Sequence, residues 1–176
     1  MNLRLKKTPG IYVVGFMASG KSTIGRALAH RLGWSFFDCD NEIEAAEKTT
    51  IAEILESRGE AEFGRIESEI LRQHVRWIER GRPAVLALGG GAFVEPANRN
   101  LVLGNGIAIW LDCPFEVVCR RVAESFHRLL ASDPRKVAEL YHSLRESYRL
   151  ADVHIPIESD DPAVAVEAIV AHPIFK

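Results

Sequence analysis

The sequence predicts an α/β protein built on a central parallel sheet with helices on both faces. Apolar runs alternate with helical patterns along the whole chain, and those runs are apolar throughout instead of at every second residue. A length of 176 residues, 47% hydrophobic and 26% charged, suits one domain with a real core and argues against disorder. In order, IYVVGFM (11–17) reads as a buried strand and Lys21 to Leu32 as a helix with Leu28, Ala29 and Leu32 on one face. SFFDCD (35–40) is a short strand ending in carboxylates. Helical patterns follow at about 41–57, with Thr50 and Glu53 forming a capping box, and at about 61–80. PAVLALGGG (83–91) and IAIWLD (107–112) are strands, then helix fills about 114–122. Residues 134–150 read as helix, VHIPI (153–157) as a last strand, and 162–172 as a closing helix with Pro162 in its first turn. The stretch 124–134 lacks periodicity, is polar and basic, and suits a mobile lid.

Several function classes drop out early. A net charge of -2 gives no field for nucleic acid or an anionic membrane, so an anionic ligand must be held by local design. The three cysteines, Cys39, Cys113 and Cys119, have no zinc spacing, and their odd number without a secretion signal fits reduced thiols in the cytoplasm. No apolar run approaches the roughly 20 residues of a membrane span, and the six histidines show no metal spacing. We expect an N-terminal extension over 1–10 and one domain over 11–176, with the lid at about 123–133.

The chemistry starts at GFMASGKST (15–23), which fits G-x-x-x-x-G-K-[ST] between a strand and a helix. Its glycines let backbone N–H groups of Ala18, Ser19 and Gly20 turn toward phosphates, and the helix N-terminus adds its dipole. Lys21 reaches the β/γ-phosphates of a nucleoside triphosphate, Ser22 offers its hydroxyl to Mg²⁺, and Thr23 completes the site. Asp38 and Asp40, at alternate positions, point the same way from the strand end where such sheets bind ligands. One would stand near Mg²⁺ and the other accept a substrate hydroxyl. VLALGGG has no acid of its own, which leaves the metal-side role to Asp38. Gly89, Gly90 and Gly91 close the third strand at the same edge and allow close backbone approach. A plain glycine turn and a solvated acidic cap are the bland alternatives for these segments. The basic group Arg120, Arg121, Arg128 and Arg145 includes a candidate lid arginine for the transferring phosphate, although single arginines more often form surface ion pairs.

Taken together, GFMASGKSTIGRALA, FFDCDNEIE, GEAEFGRIE, LALGGGAF, HRLLASDP and LRESYRLAD resemble the shikimate kinase family over about residues 11–170. The resemblance implies a single-domain P-loop kinase, ATP as co-substrate, one Mg²⁺ per ATP, and phosphoryl transfer to the 3-hydroxyl of shikimate in aromatic amino-acid synthesis. It assigns Asp40 to the substrate hydroxyls and to a possible role as base, and Asp38 to the metal side. Gly90 would meet the substrate through its backbone, with Glu67 a supporting acid. Arg128 would be the lid arginine over ATP, Arg145 the grip on the substrate carboxylate, and Arg121 a neighbour of adenine. A monomer is expected.

Three departures stand out. Gly64 occupies the position where the family carries a second carboxylate-clamping arginine, and Arg65 sits one residue on, rotated by about 100°. Leu129 replaces the proline after the lid arginine, and Arg145-Glu-Ser-Tyr148 lacks the family's proline. Two alternatives stay open at this point: a kinase for a related polyol such as a gluconate-type acid, and a ligand-binding regulatory module with degraded turnover.

Overall fold

The computed structural model describes residues 10–124 and 133–176. Five strands form one parallel sheet: β1 (Gly10–Val14), β2 (Ser35–Asp38), β3 (Ala84–Ala87), β4 (Gly106–Asp112) and β5 (Val153–Pro156), in spatial order β2-β3-β1-β4-β5. β1 is central and every one of its residues is buried, as expected of a strand covered on both faces. Gly10 pairs with Ala84 on one side and Gly106 on the other, so the carboxyl ends of β1, β3 and β4 open toward the same edge.

The helices are α1 (Lys21–Leu32), α2 (Cys39–Glu47), α3 (Ile51–Glu79), α4 (Pro96–Asn105), α5 (Phe115–Glu124), α6 (Pro134–Tyr148) and α7 (Pro162–Ala171). The predicted helix over 41–57 divides in two. Lys48 adopts φ 55 and ends α2, and Thr50 starts α3 through a complete capping box with Glu53. The predicted break before residue 61 survives as a kink, since Gly59 holds φ 83 and ψ 170 inside α3. β3 is shorter than expected: it stops at Ala87, and Leu88 to Gly91 continue as loop.

α4 carries no strong sequence signal, because Asn98, Asn100, Gly104 and Asn105 are poor helix formers. Tertiary contacts settle it: Asn98 is buried and donates to the Ala92 carbonyl at 3.1 Å, and Pro96 sits in the first turn. The main core runs through both faces of the sheet, from Leu28 and Leu71 to Ile109 and Ile169. A satellite of Ile43, Ile54 and Ile66 ties α2 to α3 beside the cleft. Among the described residues no helix is long and apolar enough to cross a membrane. The lid segment predicted at about 123–133, Arg128 included, lies almost wholly outside the described residues.

Candidate active site

The strand–loop–helix context predicted for GFMASGKST is present. β1 ends at Val14, the loop turns through Ala18 (φ 57) and Gly20 (φ 97), and α1 begins at Lys21. A left-handed φ at position 20 favours glycine. Gly20 is also the N-cap of α1, without a side-chain cap and without an acidic residue in the first turn. The first N–H groups of α1 therefore lack a side-chain cap, the arrangement that holds a phosphate. Ser19 is fully buried, and among the described residues its Oγ has no hydrogen-bond partner. Lys21 is folded inward, with Nζ donating to the Phe16 carbonyl at 3.0 Å. Burial pulls its pKa down, against the pull of Asp40 and then Asp38.

Asp38 and Asp40 do not share a strand face, contrary to the expectation of alternate positions. β2 ends at Asp38, and Asp40 already belongs to the first turn of α2. The side chain of Asp38 caps α2, accepting from the N–H of Asp40 at 3.1 Å and of Asn41 at 3.3 Å. Its second oxygen accepts from Ser22 Oγ. The capping alternative thus holds for Asp38 alongside its position facing Ser22. Asp40 enters the cleft from the helix, and burial raises its pKa, opposed by Lys21 and reinforced by Asp38.

Glu67 reaches the same place from α3 and is only 7% exposed. Burial, then the charge of Asp40, pushes its carboxyl up to about 7. Between the two acids stands Gly89. A Cβ built on it would lie 2.6 Å from Glu67 Oε2 and 2.8 Å from Asp40 Oδ1, so only glycine fits between the undisturbed carboxylates. The glycine loop is further held by Tyr148, whose hydroxyl donates to the Gly90 carbonyl at 2.5 Å.

Lys21, Ser22, Asp38, Asp40, Glu67 and Gly89 to Gly91 all line one cleft of about 2150 Å³. Ala18, Gly20, Thr23 and Arg121 line it too. Arg121 donates to the Ala18 carbonyl and to Asp160, each at 2.8 Å, which ties the phosphate loop to the turn before α7. Arg120 pairs with the same Asp160 at 3.0 Å.

Arg145 is placed differently. Its guanidinium forks onto Asp112 at the end of β4, bonds Tyr141 Oη at 2.9 Å and lies 4.9 Å above the Trp110 ring. It does not line the cleft. His154 completes the group, 2.8 Å from Asp112 and stacked on Trp110. Burial pushes the Asp112 carboxyl up, but the bonds from Arg145 and His154 outweigh it and hold it below the usual range. Arg65 lines the mouth of the cleft beside Gly64, exposed and forked on Glu62 at 2.8 and 3.0 Å.

Comparison with known proteins gives this site its relatives. The shikimate kinase family profile matches residues 17–172. The chain belongs to the shikimate kinase family. The shikimate kinase of Mesorhizobium japonicum is 38% identical over 153 residues, covering 85% of this chain and 73% of that protein. That of Persephonella marina is 36% identical over 160 residues, covering 90% and 95%. The Acinetobacter baumannii shikimate kinase, solved in complex with shikimate, superposes with a TM-score of 0.85 at 32% identity, covering 95% of this chain and 93% of that one. This family member is accordingly a kinase, an ATP-using phosphotransferase.

Three residues that shape the site escaped the sequence reading. Asp112 ends an apolar strand at the ligand edge, the same signal that drew attention to Asp38. Tyr148 stood in a quoted motif without a role. Asp160, in the polar run ESDD, carries no signal, because its partners lie about 40 residues away.

Proposed function

We propose that this chain transfers the γ-phosphoryl group of ATP to the 3-hydroxyl of shikimate. The observation that carries the reading is the meeting of Lys21, Asp40, Glu67 and the glycine loop in one cleft, in a chain of this family. Lys21 and the N–H groups opening α1 hold the phosphates, with Arg121 at the outer edge of the loop. Ser22 and Asp38 present hard oxygen donors side by side, a set that fits Mg²⁺. When bound, Mg²⁺ supplies neutralisation of phosphate charge.

Asp40 accepts the proton of the acceptor hydroxyl as its oxygen bonds to phosphorus and ADP departs. Partial desolvation makes Asp40 a stronger base than an exposed aspartate, which favours that transfer. Gly89 to Gly91 let the acceptor ring approach the backbone, and Glu67 meets its hydroxyls. The acceptor carboxylate falls to Arg145, which leaves Asp112 to reach the cleft; Gly64 leaves its own position on α3 without a second clamping arginine. Arg128 supplies positive charge over the nucleotide in this reading.

A coupled ADP-release assay across shikimate, quinate, gluconate and no acceptor tests the proposal. Release that depends on shikimate and exceeds the gluconate rate is expected. Equal rates with gluconate, or release independent of any acceptor, would overturn it.

A further inference from the structure

Glu67 is buried in unusual company. Among the described residues its side chain makes no hydrogen bond and no ion pair. On a helix the residue three positions earlier shares its face. That residue is Gly64, and a Cβ there would meet nothing within 4 Å. The neighbouring cation Arg65 lines the same cleft, but its guanidinium forks onto Glu62 and not onto Glu67. The groups facing Glu67 from other elements are Asp40 and Cys39 on α2 and Tyr148 on α6. None of them is a cation, and the Tyr148 hydroxyl already donates to Gly90. The charge of Lys21 falls on Asp40 instead. Glu67 and Asp40 meanwhile approach each other across the bare Cα of Gly89. Two carboxyl groups crowding one glycine, the second buried and without an ion pair among the described residues, disfavour ionising together.

We infer that Glu67 works in the acceptor pocket as a neutral carboxylic acid, donating its O–H to an acceptor hydroxyl, and that Gly64 is the specificity-determining residue that keeps it neutral. The inference rests on the acceptor reading above and deepens it. The proton stays on Glu67 and not on Asp40 because Lys21 is a counter-charge to Asp40, and among the described residues Glu67 has none. The carboxyl pushed up to about 7 agrees with this division. An acid that donates selects an acceptor by hydroxyl lone pairs at this wall of the pocket. It also makes acceptor binding pH-dependent, since ionisation removes the donor and sets a second negative charge against Asp40. Affinity therefore falls as pH rises through about 7.

The test uses the whole chain and two readouts. Carboxyl ¹³C NMR on the free protein, with the Glu67 signal assigned by its loss in Glu67→Gln, reports the protonation state directly. We expect an inflection near pH 7 in the natural protein and one at least a unit lower in Gly64→Arg, where a cation is placed at the i−3 position. Calorimetric titration of shikimate should show affinity weakening about tenfold between pH 6 and pH 8, as one proton is lost. Glu67→Gln, a donor that cannot ionise, should flatten that profile while nucleotide binding persists. A Glu67 inflection in the ordinary carboxylate range would overturn the inference, as would a Gln variant that keeps the tenfold pH dependence. Should Glu67→Gln fail to fold, the inflections of the natural protein and of Gly64→Arg still decide the matter. Failure of the acceptor reading looks different: shikimate-dependent ADP release would be missing while the free-protein titration remained near pH 7.

Discussion

Gly89→Ala is the sharpest perturbation available to the site. Its backbone lies outside the left-handed region, so alanine meets no conformational penalty and acts by volume alone. The added methyl would sit 2.6 Å from Glu67 Oε2 and 2.8 Å from Asp40 Oδ1, well inside van der Waals contact. Both acids must give way, and each is anchored: Asp40 in the first turn of α2, Glu67 on the buried face of α3. Overpacking of this kind costs about 1–3 kcal/mol. Because the displaced groups are the ones that meet the acceptor, the cost falls on transition-state geometry. It corresponds to a loss of roughly five- to over a hundredfold in kcat/KM for shikimate. The phosphate loop is untouched, so the KM for ATP should move less than about twofold. Steady-state ADP release with each substrate varied separately measures both numbers. Gly104→Ala is the control: it lies on α4, its Cβ meets nothing within 4 Å, and its kinetics should match the natural protein. Shikimate kinetics within twofold of natural for Gly89→Ala would refute the claim that the two acids converge on this glycine in the working enzyme.

The remaining predictions concern single groups. Lys21→Ala should abolish turnover while circular dichroism shows an intact fold, since the lysine meets charge on the transferring phosphate; retained activity would remove the phosphate-loop reading. Asp40→Asn should lower kcat by orders of magnitude with ATP binding preserved, and an equal loss of ATP affinity would place Asp40 on the metal instead. Asp112→Asn removes the ion pair that occupies Arg145, so shikimate KM should fall several-fold with ATP KM unchanged; a KM that rises or stays level denies competition between Asp112 and the acceptor carboxylate. Glu67 also leaves a stability signature. Its folded pKa of about 7 lies above the ordinary 4.5, so the folded state holds the extra proton and stability declines as pH rises from about 4.5 to 7. The penalty at pH 8 is roughly 3 kcal/mol, so Glu67→Gln should raise Tm at pH 8 and change it little at pH 4; equal shifts at both would count against a buried, proton-holding acid.

The sequence by itself determined the sheet class, the phosphate loop and the family, because each is written in local pattern. A buried parallel strand must be apolar throughout, a phosphate cradle needs its glycines and lysine in fixed spacing, and Thr50 with Glu53 caps a helix within three residues. Local pattern also placed Asp38, Asp40 and Gly89 to Gly91 among the site residues, the family resemblance added Glu67, and one cleft gathers them. It misjudged how Asp40 arrives, since strand alternation ends where the Asp38 side chain captures the N–H groups that start α2. Only the tertiary structure decided the partners of the charged groups. Arg145 bonds Asp112, 33 residues earlier; Arg121 joins Ala18 to Asp160 across about 103 and 39 residues; and Tyr148 holds Gly90 from 58 residues away. A charge in a sequence does not name its counter-charge, because the pairing is set by which strand ends and helix faces the sheet order brings together. The raised pKa of Glu67 has the same origin: it comes from burial and from the Asp40 carboxylate on another helix, and these meet only in the folded chain.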